Sequence, residues 1–292
     1  MNPTWTRRLF RTASTVSPEL AGRLALRAFF VTQPRLALRE QDAATDAAAD
    51  RGAIRVRGKD VVTYSWGAGD ETVLLVHGWR GRASQFAPLV RELVAEGFHV
   101  VAFDAPAHGA SPAAPTDIRD WIAAIDELQR RQGRFRLVVG HSFGALATLT
   151  AVRAGTTTAR VATIAGAGTP QVFVDQFSMM LDLTPRAKAA FERRFHAKFG
   201  EDAASMRRRF DAVADPLLPH VELLSVHDDT DRQVPATASA DLVEAHGGRA
   251  RLVRTHGLGH NRVLADDVTL DAVTAFATGG LARVDELLAR AA

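Results

Sequence analysis

Cysteine is absent from the 292 residues. That excludes disulfides, cysteine nucleophiles and thiolate metal sites, and it fits a reducing compartment. Lysine is scarce as well, occurring only at Lys59, Lys188 and Lys198, so nearly all the basic residues are arginine. The formal net charge is only +3 although the isoelectric point is near 9.9. With abundant alanine, this reads as the codon bias of a GC-rich genome, and the chain lacks the basic stripe interleaved with aromatics that nucleic-acid binding calls for. No apolar run approaches the roughly 20 residues a bilayer span needs. Arg7, Arg8 and Arg11 precede an apolar stretch that Arg23 and Arg27 interrupt, which makes a poor secretory core; the expected location is the cytoplasm. Neither a Gly-x-x-x-x-Gly-Lys-Ser/Thr loop nor His-Glu-x-x-His occurs, and the ten histidines are scattered, so no metal or cofactor is expected.

What is present is an ordinary globular composition, 47% hydrophobic and 24% charged, at a length that accommodates one large α/β domain. Its most informative segment is Val138-Val139-Gly140-His141-Ser142-Phe143-Gly144. Gly-x-Ser-x-Gly follows an apolar run and precedes a helical pattern. A serine at a sharp strand-to-helix turn is pushed out of the backbone to where a base can reach it. The Phe143 N–H then lies at a helix N-terminus, suited to a developing oxyanion.

A serine hydroxyl needs an imidazole to take its proton, and the imidazole needs a carboxylate to fix its tautomer. Candidates follow two later apolar strands. After Val221–Val226 come Asp228, Asp229 and Asp231, which compete for the acid role. After Arg251–Val253 come His256 and His260; His260 ends a Gly-x-Gly-His turn and is the preferred base. The order serine, aspartate, histidine differs from that of chymotrypsin and subtilisin.

Short strands near Ala53–Val56 and Val61–Trp66 suggest an antiparallel start. Strands at Thr72–Val76, His99–Phe103, Phe135–Val139 and Val161–Ala165 then alternate with helical patterns at Ser84–Glu96, Thr116–Arg131 and Phe143–Arg153. Helices Ala236–Ala245 and Arg262–Phe276 follow the acid and base loops, and Leu281–Ala289 closes the chain. This predicts an eight-stranded, mostly parallel sheet covered on both faces. Every candidate catalytic residue falls just after a strand, so all converge on the carboxyl edge of the sheet.

These pieces together carry a resemblance. From about Arg51 onward the chain resembles the α/β-hydrolase superfamily, through His77-Gly78-Trp79, Asp104-Ala105-Pro106-Ala107-His108-Gly109, Gly140-His141-Ser142-Phe143-Gly144, Asp231-Arg232-Gln233-Val234-Pro235 and Gly257-Leu258-Gly259-His260. The resemblance implies Asp231 as the acid, because x-x-Val-Pro closes the acid loop in this family. It implies the Trp79 N–H as the second oxyanion donor, beside Phe143. It leaves the Asp104–Gly109 loop shaping the core beneath the site. It also places a helical cap after the sixth strand, where residues 169–218 break the alternation. Phe191, Phe195 and Phe199 share one helix face there, and Phe173, Phe177 and Met180 are candidates to line a substrate pocket over Ser142. Arg207, Arg208 and Arg209 read as a solvated helix face.

The expected domains are thus an N-terminal extension and linker (1–50), a core (51–168 plus 219–292) and a cap (169–218). Within the extension, Ser17-Pro18-Glu19 caps a helix whose Leu20, Leu24, Ala28 and Val31 recur at helical spacing. That helix packs on the core or, as the alternative, residues 17–31 meet a membrane surface or a partner. Gln41–Asp50 reads as a linker. The expected activity is a serine hydrolase acting on a small-molecule carboxylic ester or thioester through an acyl-enzyme. Carbon–carbon bond hydrolysis on the same three residues, or a non-enzymatic receptor or scaffold, are the alternatives. Haloalkane dehalogenases and epoxide hydrolases of this fold use an aspartate nucleophile, and the epoxide hydrolases use cap tyrosines; this chain has Ser142, and its one tyrosine, Tyr64, is far from the cap. Oligomeric state is not legible.

Overall fold

The computed structural model describes residues 3–291, so the outermost residues of the expected extension and core lie outside the described part. The chain opens with three helices, α1 (Pro3–Val16), α2 (Pro18–Phe29) and α3 (Glu40–Ala47). Then come β1 (Asp50–Val56), β2 (Lys59–Trp66), β3 (Thr72–Val76), α4 (Ala87–Ala95), β4 (His99–Asp104), α5 (Ile118–Gln132), β5 (Phe135–His141), α6 (Phe143–Arg153) and β6 (Arg160–Ile164). Three consecutive helices follow, α7 (Pro170–Met180), α8 (Pro185–Phe199) and α9 (Ala203–Phe210). The chain ends with β7 (Glu222–Asp228), α10 (Ala236–His246), β8 (Ala250–Thr255), the single turn α11 (Gly259–Arg262) and α12 (Asp267–Ala291), which breaks at Gly280.

The strands form one eight-stranded sheet in the order β1-β2-β4-β3-β5-β6-β7-β8. Strand β2 pairs antiparallel with both neighbours, and every pairing from β4 to β8 is parallel. The central strand β3 is buried along its whole length, as expected where helices cover both faces. Helices α4 and α12 pack on one face, while α5, α6 and α10 cover the other. Helix α6 is apolar all round and buried from Gly144 to Val152, which suits the helix directly under the candidate serine.

Two departures from the sequence reading concern the extension. Most of Gln41–Asp50 belongs to α3, a helix packed on the core, and Asp50 opens β1, so the segment is not a linker. Asp42 and Asp46 are buried in it and pair with Arg39, Arg51 and Arg82. The Trp66 indole donates to the Thr45 carbonyl at 2.7 Å. Alanine is the strongest helix former, and ion pairs fasten this helix where an apolar stripe ordinarily would. Helix α2 is capped as read, with Ser17 Oγ accepting from the Leu20 N–H. Its main partner, however, is α8. Ala21, Gly22 and Ala25 are buried, and a Cβ at Gly22 would stand 2.7 Å from both Ala190 Cβ and the Phe191 amide nitrogen. The buried side of α2 is thus covered by α8, while Leu20 and Val31 of the apolar face read from the sequence remain 43% and 42% exposed. No helix among the described residues is long and apolar enough to cross a membrane.

Candidate active site

Ser142 sits between β5 and α6 with φ 54° and ψ −121°, a conformation costly for a residue with a Cβ and found mainly where function holds it. The turn is held by the Ser142 N–H donating to Ile164 O at 2.9 Å. It closes only because its flanks are bare: a Cβ at Gly140 would meet Ala145 Cα at 2.5 Å, and one at Gly144 would meet the Val76 carbonyl at 2.2 Å. Ser142 Oγ lies 2.9 Å from His260 Nε2, and His260 Nδ1 lies 2.7 Å from Asp231 Oδ2. With Nδ1–H donating to the carboxylate, Nε2 is left to accept the serine proton. Ser142 and His260 each keep 9% of their surface, just enough for contact with a small molecule.

Asp231 also accepts the Gln233 and Val234 amides at 2.7 and 3.1 Å, and His227 Nε2 lies 3.4 Å from its Oδ2. Burial pushes this carboxyl up, but the donors from His227 and His260 outweigh it and hold the group below the ordinary carboxylate range. The other aspartates of the loop point elsewhere. Asp229 pairs with Arg254 at 2.7 Å on the surface. Asp228 is buried and turns toward the base loop, accepting from the Thr230 amide and hydroxyl, the Thr255 hydroxyl, and the Leu258 and Gly259 amides. It therefore ties the acid loop to the loop that carries His260. His256 is exposed and outside this group.

Trp79 follows β3, and its neighbourhood is fixed by His77. His77 Nε2 accepts the Ala105 N–H at 2.9 Å, which leaves Nδ1–H to donate to Gly78 O at 2.7 Å. Burial holds His77 neutral by lowering its pKa. The Trp121 indole donates to His77 O at 3.0 Å. Among the described residues, neither the Trp79 nor the Phe143 backbone N–H has a protein acceptor. The Trp79 indole donates outward to Val31 O at 3.0 Å, and Arg80 Nε donates to the same carbonyl at 3.2 Å. Asp104 anchors the loop beneath, accepting from Tyr64 and from the Ala83 and Ala110 amides, each at 2.7 Å.

A narrow apolar pocket, partly open to solvent and with free volume of only about 20 Å³, adjoins Phe143. Phe173 of α7, Phe195 and Phe199 of α8, and Phe29 and Phe30 from the end of α2 line it. Of the three cap candidates, Phe173 is thus at the pocket, its ring 5.9 Å from that of Phe143. Phe177 is not; it packs against Phe29 and Phe191 where α7 meets α2 and α8. Met180 is 57% exposed at the far end of α7 and is corrected to a surface residue. In the arginine run, Arg209 pairs with Glu201 and Arg208 donates to Ser205, both at a solvent-facing helix end. Among the described residues no group of three or more histidines and carboxylates is placed to hold a metal ion.

Sequence reasoning missed Phe29 and Phe30, because nothing in a helical pattern near the N-terminus says which cavity it closes. It also missed two histidines behind the site. His141 donates through Nε2 to the His260 carbonyl at 2.9 Å, and burial beside His260 pushes its pKa down to about 3. His227, besides facing Asp231, lies with Nδ1 2.6 Å from Ser239 Oγ. Their positions directly before Ser142 and at the end of β7 were the available signals.

Residues 73–287 match the model of the alpha/beta hydrolase family. A serine hydrolase-like protein of Dictyostelium discoideum is 30% identical over 95 residues, which is 30% of this chain and 26% of that protein; the chain spans about a quarter of the length of this curated relative. Among solved structures, an esterase from Pyrococcus furiosus superposes with a TM-score of 0.62 at 18% identity, covering 89% of this chain and 97% of that one. A bacterial membrane phospholipase A gives 0.56 at 20% identity, with 85% and 91% covered. The thioesterase domain of the curacin biosynthetic pathway gives 0.58 at 16%, with 79% and 99% covered. At such identities these structures share the fold, while the family match extends over most of the chain, from the start of β3 to near the end of α12. The chain belongs to the alpha/beta hydrolase family.

Proposed function

We propose that this protein is a serine hydrolase that cleaves a carboxylic ester or thioester with an apolar acyl group. The observation that carries the reading is the unbroken hydrogen-bonded line from Ser142 through His260 to Asp231, with an all-apolar pocket beside it. In this mechanism Ser142 Oγ attacks the acyl carbonyl while His260 Nε2 takes its proton. Asp231 holds the imidazole in the required tautomer and stabilises its cation. The negative charge on the former carbonyl oxygen is met by the N–H groups of Phe143 and Trp79, which have no other acceptor to give up. Collapse of the tetrahedral intermediate breaks the bond to the leaving group, which receives the proton from His260. Water deprotonated by the same histidine then releases the acid from Ser142.

In this reading residues 51–168 and 219–292 form the catalytic body and residues 169–218 its cap, with α2 completing the cap from the other side. The apolar acyl part lies against Phe173, Phe195 and Phe30, and the leaving group points to solvent.

The test is turnover of p-nitrophenyl esters from acetate to long acyl chains, with Ser142→Ala as control. The variant should fold normally and lose on the order of 10⁶ in kcat. Failure of the wild type both to turn over any ester and to label at Ser142 with a fluorophosphonate would replace this reading with that of a hydrolase-fold scaffold.

A further inference from the structure

Single exposed apolar side chains are common and carry no message; a cluster of them does. Among the described residues the five most exposed large apolar side chains are Val16 at 80%, Trp5 at 70%, Met179 at 67%, Leu9 at 62% and Met180 at 57%. All five lie on two segments, α1 and the end of α7. At 3.6 residues per turn, Trp5, Leu9 and Val16 fall within an arc of roughly 40° on α1. The opposite side of α1 faces the body, where Ser14 is buried and Phe10 packs on the core. The two segments are tied together: Arg11 pairs with Asp182 at 2.9 Å, and Thr184 donates to Ser14 O at 3.4 Å. The α1 ridge and the two methionines just before Asp182 are thus one surface.

Its charge says what covers it. Helix α1 carries Arg7, Arg8 and Arg11 and no acidic residue. Arg7 and Arg8 are exposed and form no ion pair among the described residues. On the same wheel Arg8 borders the ridge, about 60° from Trp5, whereas Arg7 lies on the opposite side; a helix with a cation beside a ridge of tryptophan, leucine and valine lies in the headgroup layer of a bilayer. A second copy of the chain would bring Arg8 toward its own counterpart across a two-fold contact, which disfavours self-association. At 14 residues, or about 21 Å, α1 lies along such a surface and is too short to span it. We propose that α1 and the end of α7 form the face by which this protein docks on an anionic phospholipid surface. Helix α7 also holds Phe173 at the pocket, about 10 Å along its axis from Met180, so docking brings the cap of the pocket to the lipid. The proposal concerns binding and stands apart from the chemistry at Ser142.

The test is flotation of the full chain with vesicles of phosphatidylcholine alone or mixed equally with phosphatidylglycerol. Arg8 should favour the mixed vesicles by about 5-fold, an advantage that high salt removes. Leu9→Glu with Val16→Glu should reduce binding to the mixed vesicles by at least about 10-fold while far-ultraviolet circular dichroism is unchanged. Met179→Glu with Met180→Glu tests the same face from a separate element, and should also weaken binding. Binding to neither vesicle, equal binding to both, or unaltered binding by both pairs of variants would overturn the proposal. So would a concentration-dependent dimer, dissolved by Leu9→Glu, in a protein that ignores vesicles.

Discussion

Asp228 and Asp231 lie three residues apart in one loop, and replacing each with asparagine should produce opposite deficits. Asp228 accepts five hydrogen bonds, two of them from the Leu258 and Gly259 amides ahead of His260. An asparagine keeps the shape but turns one acceptor into a donor. The threonine hydroxyls can turn to accept from the amide, so the bonds necessarily lost are that of the Leu258 amide on one side or those of the Thr230 and Gly259 amides on the other. A bond to a buried charged group is worth about 1.5–3 kcal/mol, so Asp228→Asn should cost about 1.5–6 kcal/mol of stability. Asp231→Asn should instead leave the fold largely intact and lower kcat by about 10⁴, because the imidazole is no longer held in the tautomer that accepts from Ser142. Urea unfolding followed by fluorescence gives the first quantity and ester turnover per folded molecule the second. The sign with pH is also fixed. Despite its burial, the hydroxyl and amide donors hold Asp228 below the ordinary carboxylate range. Its contribution to stability is therefore full above an unfolded pKa of about 3.9 and is lost as pH falls through the lower folded value. The stability gap between wild type and Asp228→Asn should narrow below about pH 4. A stable, inactive Asp228→Asn beside an unstable, active Asp231→Asn would refute the assignment of both residues.

Other expectations follow from the same contacts. Phe30→Ala removes an aromatic wall of the pocket and should move the acyl-chain optimum of ester turnover to longer chains; an unchanged chain-length profile would remove Phe30 from the substrate path. His141→Phe deletes the bond to the His260 carbonyl and should lower kcat about 5- to 10-fold, as expected for one hydrogen bond of roughly 1 kcal/mol. Because His141 has its pKa pushed down to about 3, it is neutral at working pH, and the variant's pH–rate profile above pH 5 should keep the wild-type shape.

The fold was legible because strand and helix patterns alternate, and the positions of Ser142 and His260 because glycine-rich turns follow β5 and β8. The acid was less so. Three aspartates share one short loop, and only the direction of each carboxylate, set by donors from β8 and the loop after it, distinguishes them. The segment now seen as α3 has too little apolar periodicity to announce a helix; what holds it is Asp42 and Asp46 meeting arginines from three places in the chain. Phe173, Phe177 and Met180 are legible in the sequence only as an apolar cluster, and on α7 they fall on one side of the helix. Spacing does not say how far the neighbouring surface reaches, and along α7 that neighbour changes from the pocket to α2 and then to solvent.

The family match begins at residue 73, yet the pocket is completed by Phe29 and Phe30. These two side chains are set by the α2–α8 contact, by the indole of Trp79 and Arg80 both bonded to Val31 O, and by Arg35 donating to Gly109 O and Ser111 O. Proposed nucleophile, base, acid and oxyanion donors all come from inside the matched region, whereas part of the pocket wall comes from outside it. Substrate preference therefore does not transfer from relatives aligned over the core alone. It has to be sought in the N-terminal segment, and Trp79 links the two: its backbone N–H is a proposed oxyanion donor, while its indole bonds to Val31 O next to Phe29 and Phe30.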